Sequence, residues 1–531
     1  MKIENINSQI SVSDQITIAD VKILADQGVQ VLVCNRPDGE AKGQTLFAVI
    51  KDQAEKFVLE THLIAFASAN VTTEHSEKFA GLAESGKRIH AYCRTGKRSK
   101  MLCNAANIIT TVASTPSISA KSVLDEMKYD VVIVGAGSAG IATASSLFKR
   151  NKKLRISLID PSQDHYYQPG WTMVGGGVFK AKSTHRKTKN LIPKGIDWIQ
   201  QSVSRFSPSS NSVILDNGSR VHYQQLVVAP GLKLNWAGVE GLEETLGKNG
   251  VTSNYRFDLA PYTWELVQNL KGGKALFTQP AMPIKCAGAP QKAMYLSASQ
   301  WHKTGQLKDI DIEFHNAGGV LFGVAAYVPS LMLYIKKYDA KLEFMHTLVK
   351  VDGNNKTAWF KVNKSGEDEH TIETKFDFLH VCPPQCAPDF IKDSELSDKS
   401  GWLDVDPATL QHNKYSNIWG AGDVMNTANA KTMAAARKQA PVVAQNIANA
   451  FASKSETVVY DGYGSCPLTV ERGKIVLAEF AYGGKLTPTF PKWFNDGTKP
   501  TAFAWFLKAR VLPSIYWHAM LKGREWMAGS D

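Results

Sequence analysis

The stretch Tyr-Asp-Val-Val-Ile-Val-Gly-Ala-Gly-Ser-Ala-Gly, residues 129–140, decides the fold of most of this chain. Its first six residues have the length and apolar character of a buried parallel strand, and the glycines that follow have the spacing G-x-G-x-x-G. An apolar helical stretch runs from 141 to 148, and a second predicted strand, 155–159, ends on Asp160. In such a unit the glycine turn and helix N-terminus bind a pyrophosphate and the acid binds a ribose. The pattern predicts an α/β protein with a Rossmann-type domain, whose nucleotide contacts are Gly135, Gly137, Ser138, Ala139, Gly140 and Asp160.

Two later segments indicate that the dinucleotide is FAD. Residues 226–231, LVVAPG, resemble the strand and turn with which FAD-binding domains resume after an inserted hairpin. Residues 418–423, IWGAGD, resemble their late strand, whose final acid contacts the ribityl chain. Both follow the glycine turn in the order expected of flavoproteins with two dinucleotide-binding domains. The sequence therefore predicts FAD as the cofactor and Asp423 as one of its contacts.

The predicted second dinucleotide-binding domain has the first strand of a nucleotide site but lacks its glycine motif and its ribose-binding acid. Its first predicted strand, 274–278, is followed by no second G-x-G-x-x-G, and the next, 311–315, ends without an acid. In place of the glycine turn stands IKCAGAP, residues 284–290, with Cys286 between a strand and a helix start and beside Lys285. Both surroundings favour a thiolate. We predict a redox-active cysteine where NADH would bind, although a small buried thiol is the simpler alternative.

From about residue 127 to 526 the chain resembles the mitochondrial-type sulfide:quinone oxidoreductases, flavoproteins of the disulfide-reductase superfamily. The resemblance implies that sulfide attacks a cysteine disulfide, which leaves a persulfide on one sulfur and a thiolate on the other. The thiolate reduces FAD, FAD reduces a quinone (ubiquinone or menaquinone), and a thiol acceptor such as glutathione takes the sulfane sulfur. It further implies that Asp160, Gln168, Val203 and Asp423 contact FAD and that Lys431 lies by its isoalloxazine ring. The matching stretches are 135–140, HYYQP at 165–169, KCAGAPQK at 285–292, 403–411, AKT at 430–432, YDGY at 460–463 and SCP at 465–467.

One departure from the animal members concerns the second redox cysteine. In those proteins it directly follows the Gly-Asp pair, whereas this chain has Val424 there. We predict Cys386, ahead of Cys382, as the partner of Cys286, because residues 376–386 run down a predicted strand into a loop near the flavin. The two could instead pair with each other or have no redox role, and their C-x-x-x-C spacing, interrupted by two prolines, argues against a metal site. Cys466, in Ser-Cys-Pro, is predicted to be structural.

The C-terminal segment, 491–531, is predicted to associate with a membrane. Pro513 is expected to divide residues 501–524 into two short amphipathic helices of the kind that lie in a lipid interface. No run approaches the roughly 18 uncharged residues needed to span a bilayer. A core or dimer helix is the alternative. The side chains concerned are the aromatics Trp505, Phe506, Tyr516 and Trp517 and the basic Lys508, Arg510, Lys522 and Arg524.

Composition agrees with this interpretation. The chain has 531 residues, of which 44% are hydrophobic, enough for sizeable cores. Its formal charge of +12 suits binding to anionic lipid and attracts anionic sulfur species. Clustered nucleic-acid-binding motifs are missing from the sequence. Seven cysteines in such a length do not make a disulfide framework. Residues 1–7 lack an apolar signal core and contain an acid, so we expect a peripheral protein on the cytoplasmic side of a bacterial inner membrane.

Residues 1–115 are predicted to form a separate phosphatase-like α/β domain, joined by a linker, 116–126, to the FAD-dependent oxidoreductase part, 127–490. One predicted strand, 29–34, leads into NRPDGE at 35–40, and another, 88–92, leads into CRTGKRS at 93–99 and a helix. A cysteine at the end of a strand, followed by a loop whose backbone N–H groups lead into a helix N-terminus, forms an anion-binding site. Backbone donors and Arg98 would hold three oxygens beside Cys93.

This module resembles small phosphatase-like sulfurtransferases related to the dual-specificity phosphatases. Four residues separate Cys93 from Arg98, which is the rhodanese length, whereas tyrosine phosphatases have five. The resemblance implies sulfur transfer, with phosphatase activity and noncatalytic anion binding as alternatives. Cys34 and Cys103 are predicted to be core thiols. We hypothesise that Cys93 relays the sulfur bound at Cys286, directly or through a carrier such as glutathione.

Three other functions fit parts of the pattern. A type II NADH:quinone dehydrogenase would share the fold but needs the missing second glycine motif. A flavocytochrome sulfide dehydrogenase subunit would share the chemistry but requires export. A persulfide redox sensor with a phosphatase-like domain would show negligible turnover with quinone.

Overall fold

The computed structural model describes residues 1, 3–7, 9–41, 44–66, 71–106, 126–366 and 368–528. The chain divides into two compact units, Met1–Lys121 and Ser122–Asp531. The linker predicted at 116–126 lies outside the described residues except for its last residue, Glu126.

The first unit is an α/β domain built on one five-stranded sheet. Its elements are β1 Ile3–Asn5, β2 Ile10–Ser13, α1 Ile18–Asp26, β3 Val31–Cys34, α2 Phe47–Glu55, β4 Glu60–Leu63, α3 Thr73–Glu84, β5 Ile89–Tyr92 and α4 Lys97–Ala105. The strand order is β1-β2-β5-β3-β4, and only the β1–β2 pair is antiparallel. The central strands β3 and β5 are buried throughout, as expected of parallel strands covered on both faces. Since Cys34 lies opposite Tyr92, the loops that begin at Asn35 and Cys93 leave the same edge of the sheet.

The second unit begins with the FAD-type domain predicted from residues 129–140. Its elements to residue 245 are β6 Glu126–Val134, α5 Ser138–Arg150, β7 Ile156–Ile159, β8 Asp164–Tyr166, α6 Trp171–Gly175, β9 His185–Lys187, β10 Asp197–Ile199, β11 Val203–Ser207, β12 Ser212–Leu215, β13 Arg220–Val228, β14 Lys233–Leu234 and α7 Leu242–Thr245. The helix α5 follows the strand β6 after three residues, as the glycine spacing predicts.

A second, parallel domain follows. Its elements are β15 Val251–Thr252, α8 Leu259–Asn269, β16 Gly273–Gln279, α9 Ala289–Thr304, β17 Ile310–Asn316, α10 Val328–Lys337, β18 Lys341–Phe344, β19 His346–Asp352, β20 Thr357–Val362, β21 His370–Lys375, β22 Phe378–His380, β23 Gln385–Cys386 and α11 Asp389–Lys392. The parallel strand order is β15-β22-β16-β17-β18, and β19, β20 and β21 form an antiparallel sheet of their own.

The remaining elements return to the first domain and then form the C-terminal segment. They are β24 Ile418–Gly420, α12 Met433–Phe451, β25 Gly464–Glu471, β26 Lys474–Phe480, β27 Pro500–Thr501, α13 Ala502–Phe506, a π-helical turn Leu507–Val511 and α14 Leu512–His518. The strand β24 joins the sheet β10-β7-β6-β13-β12-β11 by pairing with β13 in parallel. Among the described residues no helix has the length and apolar character to cross a membrane.

This topology gathers the predicted motifs at one edge. The strands β6, β7, β13 and β24 are mutually parallel neighbours, so the residues that follow each of them lie at the same end of the sheet. Ligands of open α/β folds bind outside the carboxyl ends of such strands. The glycine turn, Asp160, 229–231 and 421–423 therefore surround one location.

Candidate active site

The glycine turn has the geometry that a bound pyrophosphate requires. Gly135 has φ +102°, and a Cβ there would lie 2.4 Å from the Ala229 carbonyl oxygen. A Cβ on Gly140 would lie 1.8 Å from the Gly135 carbonyl oxygen, so glycine is required for the close packing of α5 on β6. A Cβ on Gly137 would meet nothing within 4 Å, which leaves that side of the turn open. The Asp160 carboxylate accepts the Ala136 N–H at 2.7 Å and so holds the turn against β7.

The turn opens on a cavity of about 860 Å³, large enough for a sizeable cofactor together with a substrate. Two buried polar groups on its wall, the Trp171 Nε1–H and the Asn254 side-chain amide, have no hydrogen-bond partner in the described structure. These donors and the open turn fit a polar ring system and a pyrophosphate, as FAD would supply. Residues of the predicted FAD site that line the cavity are Gly137, Ser138, Ala139, Gln168, Asp423 and Lys431.

Two predicted FAD contacts have further partners, and one lies elsewhere. Gln168 Oε1 accepts a hydrogen bond from Lys285 Nζ at 2.6 Å. Lys431 Nζ donates to the carbonyl oxygens of Asp423 at 2.9 Å and Met425 at 2.5 Å. Burial lowers the pKa of Lys431 to about 8. Val203 starts β11 and is not among the residues that line this cavity.

Cys286 lies at the cavity wall, in the loop that replaces the second glycine turn. Its backbone has φ +52°, and its N–H donates to the Lys431 carbonyl oxygen at 2.8 Å. The loop thus joins the second parallel domain to the FAD-type domain beside Lys431. The helix α9 begins three residues later, which confirms the predicted position of this cysteine between a strand and a helix.

The sulfur that contacts Cys286 within the described structure belongs to Cys466. The two Sγ atoms are 3.1 Å apart, across 180 residues of sequence. Cys466 lies on β25, which packs against the start of α9, and it is 2% exposed. The prediction that Cys386 or Cys382 is the neighbour of Cys286 is therefore wrong, and Cys466 lies within the site rather than in a separate structural position.

In the described structure, Cys382 and Cys386 have other neighbours than the Cys286 sulfur. Cys382 packs in a small buried cluster with Tyr255 and Ile284, and burial raises the pKa of its thiol to about 12. Cys386 lies on β23, opposite Lys233 of β14. The strand Phe378–His380 does lead towards the site, but the side chain that contacts the Cys286 loop is that of Gln385, whose Oε1 accepts the Lys285 N–H at 2.7 Å.

Two buried lysines surround the pair of thiols. Lys292 Nζ lies 3.1 Å from the Cys286 sulfur and 3.7 Å from the Cys466 sulfur. The hydrogen bond from the Cys466 thiol, followed by the Lys292 charge, holds the pKa of Cys286 well below its ordinary value, and the same pairing raises the pKa of Cys466. Burial and the neighbouring Lys292 lower the pKa of Lys508 to about 8. The site therefore favours one thiolate, at Cys286.

Sequence reasoning missed the roles of both lysines. Lys292 belongs to the KCAGAPQK stretch, and its position six residues after Cys286, on the first turn of α9, is the local signal that could have indicated it. Lys508 was predicted to face lipid. It is 4% exposed instead, and its Nζ donates to the Pro169 carbonyl oxygen at 3.1 Å.

The C-terminal segment differs from its prediction in two ways. Residues 502–518 are helical without a break, because the π-helical turn 507–511 precedes Pro513 and leaves that proline in the first turn of α14. Tyr516 and Trp517 are buried in the FAD-type domain, where Tyr516 Oη contacts Ser138 Oγ at 2.7 Å. These aromatics match the alternative of a core helix.

In the first unit, Cys93 and Arg98 lie at the carboxyl end of β5 as predicted. Cys93 is buried, Gly96 has φ +80° and precedes α4, and Arg98 lies in the first turn of that helix. Glu40 accepts two hydrogen bonds from Arg98, at 2.7 and 2.6 Å, and one from Arg36 at 2.9 Å. One carboxylate thus holds two buried guanidinium groups beside the cysteine loop. The thiols of Cys34 and Cys103 are buried, as expected of core residues.

The fold and the glycine turn define the second unit as an FAD-dependent flavoprotein with two dinucleotide-binding-type domains. Residues 129–264 match the family model "Pyridine nucleotide-disulphide oxidoreductase", and residues 2–109 match "Beta-lactamase hydrolase-like protein, phosphatase-like domain".

Similarity to individual proteins shows the family within this class of flavoproteins. The mitochondrial sulfide:quinone oxidoreductase of Dictyostelium discoideum is 41% identical over 397 residues, which are 74% of this chain and 86% of that protein. The mouse protein of the same name is 37% identical over 395 residues, 74% of this chain and 87% of that protein. The chain belongs to the sulfide:quinone oxidoreductase family. The crystal structure of the Aquifex aeolicus sulfide:quinone oxidoreductase shares the fold, with a TM-score of 0.62 and 19% identity over 75% of this chain and 92% of that one.

Proposed function

We propose that this protein oxidises sulfide at Cys286, holds the sulfane sulfur as a cysteine persulfide and passes the electron pair through FAD to a membrane quinone. The observation that carries the proposal is the Cys286 sulfur at the wall of the FAD-type cavity, 3.1 Å from the buried Lys292 ammonium. A cation at this distance stabilises a thiolate, which is the form of cysteine that reacts. Family membership supports sulfide and quinone as the substrates.

Within this proposal, the chain's own residues would hold FAD at two places, its pyrophosphate and its flavin. The open amide turn at Gly137 and the N-terminus of α5 would bind the pyrophosphate, and Asp423 and Lys431, which also line the cavity, would contact the flavin. FAD, when bound, accepts an electron pair from a thiolate and gives it to a quinone. Lys431 supplies a positive charge that favours added electrons there.

One group of residues that line the cavity is suited to contact a quinone. Leu507, Val511, Leu512 and Ile515 line it, all from the C-terminal segment. An apolar wall of this kind matches the ring and isoprenoid tail of ubiquinone or menaquinone. NADH is a poorer candidate, because nine residues, 280–288, separate β16 from α9 without a G-x-G-x-x-G turn.

The test is anaerobic addition of sulfide to the purified holoprotein, followed by a short-chain ubiquinone. We expect sulfide to bleach the flavin absorbance and the quinone to restore it, whereas NADH should have no effect. Bleaching by NADH instead would favour a type II NADH dehydrogenase, and the absence of bleaching by either would favour a redox sensor.

We further propose that the protein binds a membrane peripherally through an aromatic patch in residues 490–503. Trp493 is 87% exposed and Phe494 is 53% exposed; their rings contact one another, and the Phe494 ring also contacts Phe503. The patch adjoins the exposed Lys492 and Lys499, a combination suited to an anionic lipid interface. The cytoplasmic side of a bacterial inner membrane remains our prediction for its location.

Replacing Trp493 and Phe494 together with serine should lower the fraction of protein that sediments with phosphatidylglycerol-containing vesicles by at least about fivefold. Val459→Ser is the matched control, because Val459 is also an exposed apolar residue of this unit, at 59%. Equal sedimentation of the double variant and the unaltered protein would contradict the proposal.

For the first unit we propose sulfur transfer to a thiol acceptor such as glutathione, with phosphatase activity as the alternative. The supporting observation is the four-residue loop between Cys93 and Arg98, with Arg98 buried and fixed by Glu40. A fixed guanidinium beside a cysteine can orient an anionic sulfur donor such as thiosulfate or a small-molecule persulfide.

Cys93→Ser should leave sulfide-dependent quinone reduction within about twofold while lowering transfer of sulfane sulfur from thiosulfate to glutathione, which releases sulfite, by at least about 100-fold. The measurement is product analysis by chromatography of the trapped thiols, with hydrolysis of p-nitrophenyl phosphate assayed in parallel. Cys103→Ser is the control. If the sulfur products of Cys93→Ser and the unaltered protein are the same, sulfur transfer by this unit is refuted.

A further inference from the structure

We propose that Arg437 and Lys438 bind the phosphate headgroup of an anionic phospholipid where the reaction cavity opens towards the membrane. This headgroup site, formed by Arg437, Lys438 and Thr487, rests on the membrane contact proposed above. It adds to that contact a defined place for one lipid molecule.

The Arg437 guanidinium has an unused hydrogen-bond donor at the cavity wall. Arg437 and Lys438 lie near the start of α12, and both line the cavity. Arg437 donates a hydrogen bond to the Trp526 carbonyl oxygen, which engages only one of its N–H groups. Its Nε–H is buried and has no hydrogen-bond partner in the described structure. Because a buried donor without a partner costs free energy, this group favours a ligand that brings an oxygen acceptor.

The two cations also lack a counter-charge. In the described part of the chain, neither Arg437 nor Lys438 forms an ion pair with an acid, and Lys438 Nζ instead lies 5.8 Å from the centre of the Tyr463 ring. Burial lowers the pKa of Arg437, as expected of a cation that has left water without gaining an anionic partner. A bound anion would stabilise both charges.

Three acids that line the same cavity have other partners. Glu525 accepts a hydrogen bond from Arg150 at 2.5 Å. Glu479 accepts the Tyr463 hydroxyl at 2.6 Å, and Asp461 accepts the Tyr463 N–H at 2.9 Å. A ligand would therefore supply the negative charge that these carboxylates do not give to the two cations.

A hydroxyl group completes the set of donors. Thr487 Oγ1 is buried, lines the cavity and has no hydrogen-bond partner in the described structure. The Thr487 N–H donates to the Glu479 carbonyl oxygen at 3.1 Å, and the Glu479 carboxylate in turn contacts Tyr463, whose ring Lys438 approaches. The hydroxyl thus belongs to the same part of the wall. A guanidinium, an ammonium and a hydroxyl are the groups with which proteins bind phosphate.

Exposed apolar side chains beside these donors indicate that the phosphate belongs to a lipid. Trp526 is 66% exposed and Met527 is 49% exposed, and both line the cavity, so they mark its opening. Phe490 lines the cavity too, and its ring centre is 5.8 Å from that of Phe494 in the aromatic patch. Apolar groups next to cations suit a phospholipid, whose acyl chains cover the first and whose phosphate pairs with the second. A soluble phosphate compound would leave Trp526 and Met527 in water.

A lipid bound here has a consequence for the quinone. With its phosphate at Arg437, the opening of the cavity faces the acyl chains of the bilayer. The apolar wall that includes Leu507 and Leu512 lines the same cavity. A quinone can therefore reach that wall from the membrane without passing through water.

The test is a calorimetric titration of the purified holoprotein with dihexanoyl phosphatidylglycerol below its critical micelle concentration. We expect one lipid bound per chain, and at least about a tenfold loss of affinity when Arg437→Gln and Lys438→Gln are combined. Glutamine keeps an N–H donor for the Trp526 carbonyl oxygen. FAD content and Tm verify that the variants fold.

Lys152→Gln combined with Lys153→Gln is the matched control. These neighbouring lysines are exposed and are not among the residues that line the cavity. Their removal takes away the same charge, but it should change the affinity by less than about twofold, because distant exposed charges are screened. An equal loss of affinity in the control would show diffuse attraction to charge and would overturn the headgroup site.

Other ligands identify the source of the anion. Dihexanoyl phosphatidylcholine, which has no net charge, should bind at least about tenfold more weakly than the phosphatidylglycerol. Inorganic phosphate should not compete with the lipid at equal concentration. Equal affinity for inorganic phosphate would assign the cations to a soluble phosphate compound. Loss of glutathione binding in the Arg437 and Lys438 double variant, with lipid binding intact, would assign them to the sulfur acceptor. Either result would overturn the proposal.

Vesicle sedimentation separates the headgroup site from the membrane contact as a whole, and it requires no turnover. The Arg437 and Lys438 double variant should sediment with phosphatidylglycerol-containing vesicles at least about fivefold less than the unaltered protein. If the unaltered protein does not sediment, the proposed membrane contact fails. If it sediments and the double variant sediments equally, only the headgroup site fails.

Discussion

Cys286→Ser is expected to abolish the bleaching of the flavin by sulfide, with a loss of at least about 1000-fold in rate, because serine can neither form a disulfide nor carry a sulfane sulfur. Anaerobic stopped-flow absorbance measures this directly. Dithionite should still reduce the flavin in the variant, and a short-chain quinone should still reoxidise it, since neither step needs the thiol. Sulfide-dependent bleaching at an undiminished rate would refute the assignment of Cys286.

The rate at which the Cys286 thiol is alkylated should depend on pH in a way that reflects its electrostatic surroundings. Because the pKa of Cys286 is lowered, the thiolate is present at pH values where an ordinary cysteine is protonated, and it is lost only as the pH falls through the lowered pKa. Alkylation of the tryptic peptide that begins at Cys286, followed by mass spectrometry, gives this profile. In Lys292→Met the loss of reactivity should occur at higher pH, and an unchanged profile would show that Lys292 does not stabilise the thiolate.

Gly140→Ala is expected to release FAD, with at least about a 100-fold loss of affinity, because close packing of the first turn of α5 on the strand is what places the pyrophosphate-binding amides. The added Cβ would lie 1.8 Å from the Gly135 carbonyl oxygen, so the turn must shift. Flavin absorbance per protein after gel filtration measures the loss. Gly323→Ala is the matched control, since a Cβ there meets nothing within 4 Å.

If Gly140→Ala retained its full complement of FAD with an unchanged Tm, the pyrophosphate would have to bind elsewhere than at this turn. Loss of FAD together with a large fall in Tm would point to a packing defect, which addition of excess FAD during the thermal scan would distinguish from a binding defect, because a ligand stabilises only a fold that still binds it.

The nucleotide site could be predicted because its signals are local. The strand, turn and helix at 126–150 follow from consecutive residues, and Asp160 follows from the length of one strand–helix–strand unit. The order of the later motifs then determines which strands are neighbours, and the observed pairing of β6 with β7 and β13 agrees.

The partner of Cys286 could not be predicted in the same way. Cys466 reaches it through the packing of β25 on the start of α9, a contact between segments 180 residues apart that no local pattern encodes. The strand predicted in residues 376–386 is present. Parallel pairing of strands determines which loops lie at the same edge of a sheet, but it does not determine which side chains of those loops are in contact. Cys382 consequently lies near the right loop, packed on Tyr255 instead of on Cys286.

The C-terminal segment illustrates a different limit. Aromatic and basic residues in a helix suit a lipid interface and a protein core equally well, because both environments accept an apolar ring with a polar edge. The choice depends on what the rest of the chain leaves uncovered. Here the FAD-type domain covers Tyr516 and Trp517 and leaves Trp493 and Phe494 exposed.

The C-terminal helix also limits how the protein can be re-engineered. Its Lys508 projects into the reaction cavity, Tyr516 touches the first residue of the nucleotide-binding helix, and Glu525 pairs with Arg150 at the other end of that helix at 2.5 Å. Deletion of residues 502–531 to obtain a preparation without detergent would thus remove part of the cavity wall. Exchange of individual exposed aromatics such as Trp493 and Phe494 leaves that cavity wall in place.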